Sequence, residues 1–131
     1  MEDKPLAFEV RYSQGANSAS GGVKIGIIDL RDELSGLAGD ALDSAFAQSS
    51  TQGATAILLN FRDVHYINST GIALLIGLIM QANRSGRRLL ASGLSDHYKK
   101  IFQMAGLSEY IGIFPDEASA LASVQSAGFH I

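Results

Sequence analysis

Apolar and polar residues alternate along this chain in short runs whose period changes several times. Leu6–Ser13 (Leu-Ala-Phe-Glu-Val-Arg-Tyr-Ser) is broadly alternating, the period of a strand. Gln14–Gly22 is a tract of Gly, Ser, Ala and Asn, which predicts a hairpin loop. Val23–Leu30, with Val23, Ile25, Ile27 and Ile28, predicts a second strand antiparallel to the first. Asp32–Ser35 reads as a turn. Leu37, Ala41, Leu42, Ala45 and Phe46 then recur at helical spacing through Ser49, and Gly53 closes that helix. Ala56–Phe61 (Ala-Ile-Leu-Leu-Asn-Phe) is a short apolar run, as expected of a central parallel strand buried on both faces. Arg62–Asn68 reads as a loop, with Phe61 and Tyr66 packed beneath it. A helix follows from Thr70 to Ser85, stopped by Gly86.

Arg88–Ser92 is the next strand. Ser95 is placed to cap a helix through Met104 that ends at Gly106. Asp96–Lys100 reads as the exposed face of that helix. Ile111–Phe114 is the last strand, and Asp116 caps a final helix with Ala118, Leu121, Ala122 and Val124 on its inner side. The tail from Gly128 is expected to fray. The order is β-β-α-β-α-β-α-β-α. Strands alternating with helices imply right-handed parallel crossovers. The expected fold class is a single α/β domain over residues 1–131, with its core at 6–125. It has a mostly parallel mixed sheet of about five strands with about four helices.

Composition narrows the function classes. A chain of 131 residues that is 47% hydrophobic suits one domain with a real core. Its net charge of -3 gives no bulk drive toward nucleic acid or an acidic membrane. With no cysteine, a disulfide framework, a thiolate metal site and a cysteine nucleophile are excluded, which fits a cytoplasmic setting. Met1–Pro5 lacks the basic start of a secretory signal. The longest apolar run, Gly71–Met80, is far short of the roughly 20 residues that span a bilayer. His65, His97 and His130 have no metal-ligand spacing, and His65 beside Asp63 reads as a solvated pair. Arg87-Arg88 reads as a solvated strand start. No P-loop, Gly-x-Gly-x-x-Gly or Gly-x-Ser-x-Gly occurs, and no acid–base or nucleophile pair is visible. The expectation is therefore a non-enzyme without cofactor or metal.

The informative stretch is Val64-His65-Tyr66-Ile67-Asn68-Ser69-Thr70-Gly71-Ile72-Ala73-Leu74-Leu75. It delivers Asn68-Ser69-Thr70-Gly71 to a helix start, where Asn68 or Ser69 can accept an orphan N–H. Such an end tolerates an anion or a phosphoryl group. Gly71 lets another backbone approach, and a hydroxyl here is displayed. Taken alone, the four residues also fit simple capping. Along the helix, Leu75, Leu78, Ile79 and Ala82 form a core stripe. The side marked polar by Gln81, Asn83 and Arg84 carries Ala73, Ile76, Gly77 and Met80 in its earlier turns. That apolar side is either a partner surface or covered by a neighbouring element.

This stretch resembles the signature loop of STAS domains, the family of anti-sigma-factor antagonists. Asp29-Leu30-Arg31-Asp32-Glu33-Leu34 resembles the family's second strand and turn. Ser85-Gly86-Arg87-Arg88-Leu89, Ile101-Phe102-Gln103-Met104-Ala105-Gly106-Leu107 and Asp116-Glu117-Ala118-Ser119-Ala120-Leu121 follow in register. The chain has Asn68 and Ser35 where typical antagonists have Asp, and Asp32 where they have Gly. The resemblance implies a cytoplasmic switch that sequesters an anti-sigma factor, itself a serine kinase of the histidine-kinase-like ATPase type. Phosphorylation releases the partner and a serine phosphatase resets the cycle. By position the phosphoacceptor is Ser69, with Thr70 the neighbouring alternative. Asn68, Ser69, Thr70, Gly71, Ile72, Ala73, Ile76, Met80 and Ser35 form the implied partner surface. The alternative is an unphosphorylated scaffold or ligand-binding module in a stressosome-like or transport assembly. Dimerisation stays open.

Overall fold

A computed structural model describes residues 8–14, 24–35 and 39–128. The expected hairpin tract and tail, residues 15–23 and 129–131, lie outside the described residues, as does Leu37. The strands are β1 (Phe8–Gln14), β2 (Lys24–Leu34), β3 (Ala56–Ile67), β4 (Arg88–Ser92) and β5 (Gly112–Phe114). The helices are α1 (Gly39–Thr51), α2 (Ser69–Arg84), α3 (Asp96–Met104) and α4 (Glu117–Gly128). A one-turn 3-10 helix, Leu107–Glu109, sits between α3 and β5, and the sequence pattern gave no sign of it. The five strands form one sheet in chain order, β1 antiparallel to β2 and the rest parallel.

Strands built from Val, Ile and Leu need cover on both faces, and the helices divide that work. One face carries the larger core, in which Ile28, Ile57, Leu59 and Phe61 meet Leu42 and Phe46 of α1, Leu75 and Ile79 of α2, and Phe102 of α3. Phe61 and Phe102 pack edge to face at 6.4 Å between ring centres. The other face is covered by α4, where Ala120 and Val124 meet Ile25, Ile27, Ala56, Leu58 and Leu90. Of the residues expected on the inner side of α4, Leu121 and Val124 face the sheet as expected, whereas Ala118 and Ala122 are exposed and Ala120 takes their place.

Two strands outrun expectation. β2 continues through Asp32–Leu34, and β3 continues through Arg62–Ile67, where a turn and a loop were expected. The two run on as a parallel pair, Arg31 against Asp63 and Leu34 against Ile67, with irregular register on either side of Asp32. β4 pairs only with Ala56–Asn60, so this ribbon projects beyond the sheet. Its outward residues are polar because water, not a helix, lies over them, and that polarity hid the strand. Asp32 has φ 65, a left-handed conformation that glycine adopts freely and Asp tolerates better than most residues. Tyr66 is 52% exposed and does not pack beneath the segment, whereas Phe61 is buried.

Helix α4 is also tied down electrostatically. Arg11 of β1 donates to Asp29 at 2.8 Å and to Glu117 at 2.8 Å, and Asn60 donates to Asp29 at 2.8 Å. The Arg11 guanidinium, helped by Asn60, holds the Asp29 carboxyl below its ordinary value of 3.8. A carboxyl depressed in the folded state adds stability above its unfolded pKa. That contribution is lost as pH falls through the folded value. Thermal unfolding followed by circular dichroism is therefore expected to show the midpoint falling below pH 4. Asp29→Asn should flatten that fall, and an identical acid limb in wild type and variant would remove Asp29 from the account.

Candidate functional site

The projecting ribbon ends where α2 begins, and three backbone contacts fix the junction. The Asn68 N–H donates to the Leu34 carbonyl at 3.1 Å. The Gly71 N–H donates to Asn68 Oδ1 at 2.7 Å, so Asn68 is the cap. A Cβ at position 71 would run into the Leu34 carbonyl and press on the Ile67 side chain, so the close approach requires glycine. Ser35 follows Leu34 directly and is half-buried at the same end.

A fourth contact comes from α3. Tyr98 was expected on an exposed face, but it is buried, and its hydroxyl is bonded to both backbone groups of Ile67. It accepts from the Ile67 N–H at 2.9 Å and donates to the Ile67 carbonyl at 3.3 Å. β4 has already ended, so no strand pairs with β3 on that side. A hydroxyl is both donor and acceptor, and here it fills the missing strand's place. Sequence reasoning missed Tyr98 because it lies within the polar run Asp96-His97-Tyr98-Lys99-Lys100. The helical spacing of Tyr98 to Phe102 was the available signal.

With the cap assigned to Asn68, Ser69 and Thr70 occupy the first turn of α2, both exposed. Of the four orphan N–H groups at this end, those of Asn68 and Gly71 are taken by Leu34 and Asn68. Those of Ser69 and Thr70 have no acceptor among the described residues. The first turn of α2 contains no acid, unlike those of α3 and α4, so nothing of its own offsets the positive end of the helix dipole. Such an end can accept an oxyanion.

Beyond the first turn, the core stripe is as expected: Leu75, Leu78, Ile79 and Ala82 are buried. On the other side Ala73 and Gly77 are exposed and Ile76 is 37% exposed, while Ile72 and Met80 are half-buried against the core. Along α2 they form an apolar strip running away from the displayed hydroxyls. Asp63, His65 and Tyr66 of β3 are exposed, and no group of three His, Cys, Asp or Glu that could hold a metal occurs among the described residues. Arg87 is not simply solvated: its Nε donates to the Ala54 carbonyl at 3.1 Å. Among the described residues no helix is long and apolar enough to cross a membrane.

The profile of the STAS domain family matches residues 18–120. The chain belongs to the STAS domain family. An anti-sigma-B factor antagonist of Staphylococcus aureus is 26% identical over 72 residues, covering 55% of this chain and 67% of that protein. The phosphorylated form of the Bacillus cell fate determinant SpoIIAA superposes with TM-score 0.66 at 23% identity. That match covers 90% of this chain and 99% of that one. A sulfate transporter family protein from Wolinella succinogenes gives TM-score 0.70 at 22% identity, covering 81% of this chain and 88% of that one. At these identities the structural likenesses establish the fold. They agree with the five-stranded mixed sheet and four helices of this STAS domain.

The junction yields a direct prediction. Tyr98→Phe leaves both backbone groups of Ile67 unsatisfied, at an expected cost of about 1–3 kcal/mol. Hydrogen exchange at the Ile67 amide should accelerate more than at Leu58 in the sheet centre. Unchanged protection at Ile67 would show that the hydroxyl does not hold the ribbon.

Proposed function

We propose that this STAS domain is an anti-sigma-factor antagonist, a protein-binding switch in which Ser69 is the phosphoacceptor. One observation carries the reading. The Ser69 hydroxyl is displayed on a helix end whose cap is supplied by Asn68 and whose dipole no acid offsets. The hydroxyl is therefore not committed to the fold, and its own amide and that of Thr70 are available to a phosphoryl group. The name borne by the Staphylococcus aureus relative supports the choice of partner class. Its partner is inferred to be an anti-sigma factor that is a serine kinase of the histidine-kinase-like ATPase type, with a serine phosphatase reversing the mark. Thr70 is the secondary acceptor.

Docking is assigned to the strip of Ala73, Ile76, Gly77 and Met80, continued by Ile72, with Asn68–Gly71 and Ser35 at its head. A phosphoryl group adds about -1.5 to -2 charges there. The domain tolerates this because the charge meets the positive end of α2. A partner seated on the strip must instead desolvate it, which drives release. A second reading, an unmodified scaffold, is favoured by Asn68, which keeps the cap neutral where typical antagonists carry a carboxylate.

Intact mass spectrometry of the protein from its native cells separates the two. Phosphorylation adds about 80 Da, the mass of one phosphoryl group on a hydroxyl. The expected result is that gain, lost on phosphatase treatment and mapped to Ser69. A chain that stays unmodified through growth and stress favours the scaffold. Ser69→Asp is expected to keep the thermal midpoint within a few degrees while weakening binding to the anti-sigma factor. Equal affinity would sink the switch.

The docking strip is tested separately by Ile76→Glu. Because the side chain already reaches solvent, stability should change by about 0.5–1 kcal/mol at most. Partner affinity should fall at least tenfold. Cooperative unfolding at room temperature would instead place Ile76 in the core.

A further inference from the structure

The face of the sheet under α4 changes character along its length. Toward the N-terminal ends of the strands it is the small apolar core of Ile25, Ile27, Ala56, Leu58 and Leu90. Two residues further along each strand, the same face continues as Asp29, Asn60 and Ser92, which stand side by side in register. Between Ser92 and the start of α4 lies a cavity of about 90 Å3, walled also by Asn60, Arg62, Gly93 and the Pro115–Glu117 turn. It is on the sheet face opposite α2, and its chemistry does not depend on Ser69.

Ser92 is 1% exposed, yet its hydroxyl has no hydrogen-bond partner. A buried hydroxyl left unpaired is destabilising, so its position on the wall of a polar cavity points to something that bonds it. Two further groups at the cavity are donors, although its wall also carries the Asp116 and Glu117 side chains. The Glu117 amide belongs to the first turn of the twelve-residue α4 and has no acceptor within the helix. The Arg62 guanidinium stands at the mouth, its side chain 77% exposed, with Asp63 no nearer than 3.9 Å. The nearby carboxylates are engaged. Asp116 accepts from the Ser119 N–H at 2.8 Å, and Glu117 and Asp29 both hold Arg11. Asn60 is likewise occupied, accepting from the Arg62 N–H and donating to Asp29.

We propose that this cavity binds a phosphate-type oxyanion, held by the Ser92 hydroxyl, the Glu117 amide and the Arg62 guanidinium. The volume suits one such group and little more. An open groove of about 480 Å3 adjoins it, shares Arg62 and Glu117, and is lined further by Arg31 and Glu9. It leaves room for the remainder of a larger phosphate ester. The ligand is therefore either free phosphate or the phosphoryl end of such an ester.

The test is an amide chemical-shift titration of the full chain, first with inorganic phosphate and then with a nucleoside triphosphate. Saturable shifts are expected at Gly93, Glu117 and Ala118, with Ser69 and Thr70 not following the same isotherm. Saturation with phosphate identifies the free anion, and saturation only with the triphosphate identifies the ester. Ser92→Ala and Arg62→Gln should each weaken binding by about tenfold or more, the loss of one charge-assisted hydrogen bond. Ser92→Ala removes an unpaired hydroxyl and should fold at least as stably as wild type. Its thermal midpoint should rise less than that of wild type at the same ligand concentration. Shifts that stay linear for both ligands, or wild-type affinity in Ser92→Ala, would overturn the site.

Discussion

The approach of the Leu34 carbonyl to the first turn of α2 is the contact on which the rest of the site depends. That carbonyl accepts from the Asn68 N–H, and Gly71 has no Cβ to hold it away. Once Leu34 is there, Asn68 sits at the helix end with its side chain folded back onto Gly71. Ser69 and Thr70 are then turned outward as the first helical residues. Both strands must be long for this to happen, because only a ribbon that outruns β4 brings Leu34 and Ile67 to the same height. The length of β2 and β3, Gly71 and the Asn68 cap are thus one arrangement. Tyr98 supplies the outer wall by bonding Ile67 where no further strand exists.

Much of the fold was legible because each element obeys its own period. β4 ends where expected, Ser95 and Asp116 cap as expected, and Gly53, Gly86 and Gly106 all take positive φ at helix ends. The ends of β2 and β3 were not legible. A strand is recognised by one buried face, and Arg62, Asp63, His65 and Tyr66 lie in a ribbon with water over much of both faces. Their polarity reports exposure, not the absence of a strand. Tyr98 was missed for a related reason, since one buried residue in a charged turn of helix does not alter the local pattern. For α4, a run rich in alanine gives no reliable stripe, so its inner face was set by the sheet it covers.

The site was more legible than its surroundings. Four residues, Asn68–Gly71, carry a cap, two displayed hydroxyls and a close-approach glycine, and each of these shows in residue type alone. The helix behind them carried a second signal. A helix that packs against a sheet needs one apolar stripe, and α2 has two. Leu75, Leu78, Ile79 and Ala82 satisfy the fold. On the opposite strip Ile72 and Met80 also lean on the core, whereas Ala73, Ile76 and Gly77 are exposed, and their place beside Ser69 is the basis of the proposed docking surface. Ala73 and Gly77 keep that strip low, so a docked partner could reach the helix backbone closely.

In the proposed switch, the magnitudes explain why charge at Ser69 would act on a partner and not on the fold. An anion at a solvent-facing helix N-terminus is favoured by about 0.3–1 kcal/mol, and the cap that could have been disturbed belongs to Asn68. The folded domain would therefore gain slightly or be indifferent if Ser69 acquired the proposed phosphoryl group. The same group under a docked partner loses water. Removing a charge from water costs several kcal/mol per ion unless it is fully paired. In the proposed switch, the difference between these two terms is the driving force for release. It would arise because the Ser69 hydroxyl is not the group that caps the helix, which is the Asn68 side-chain oxygen.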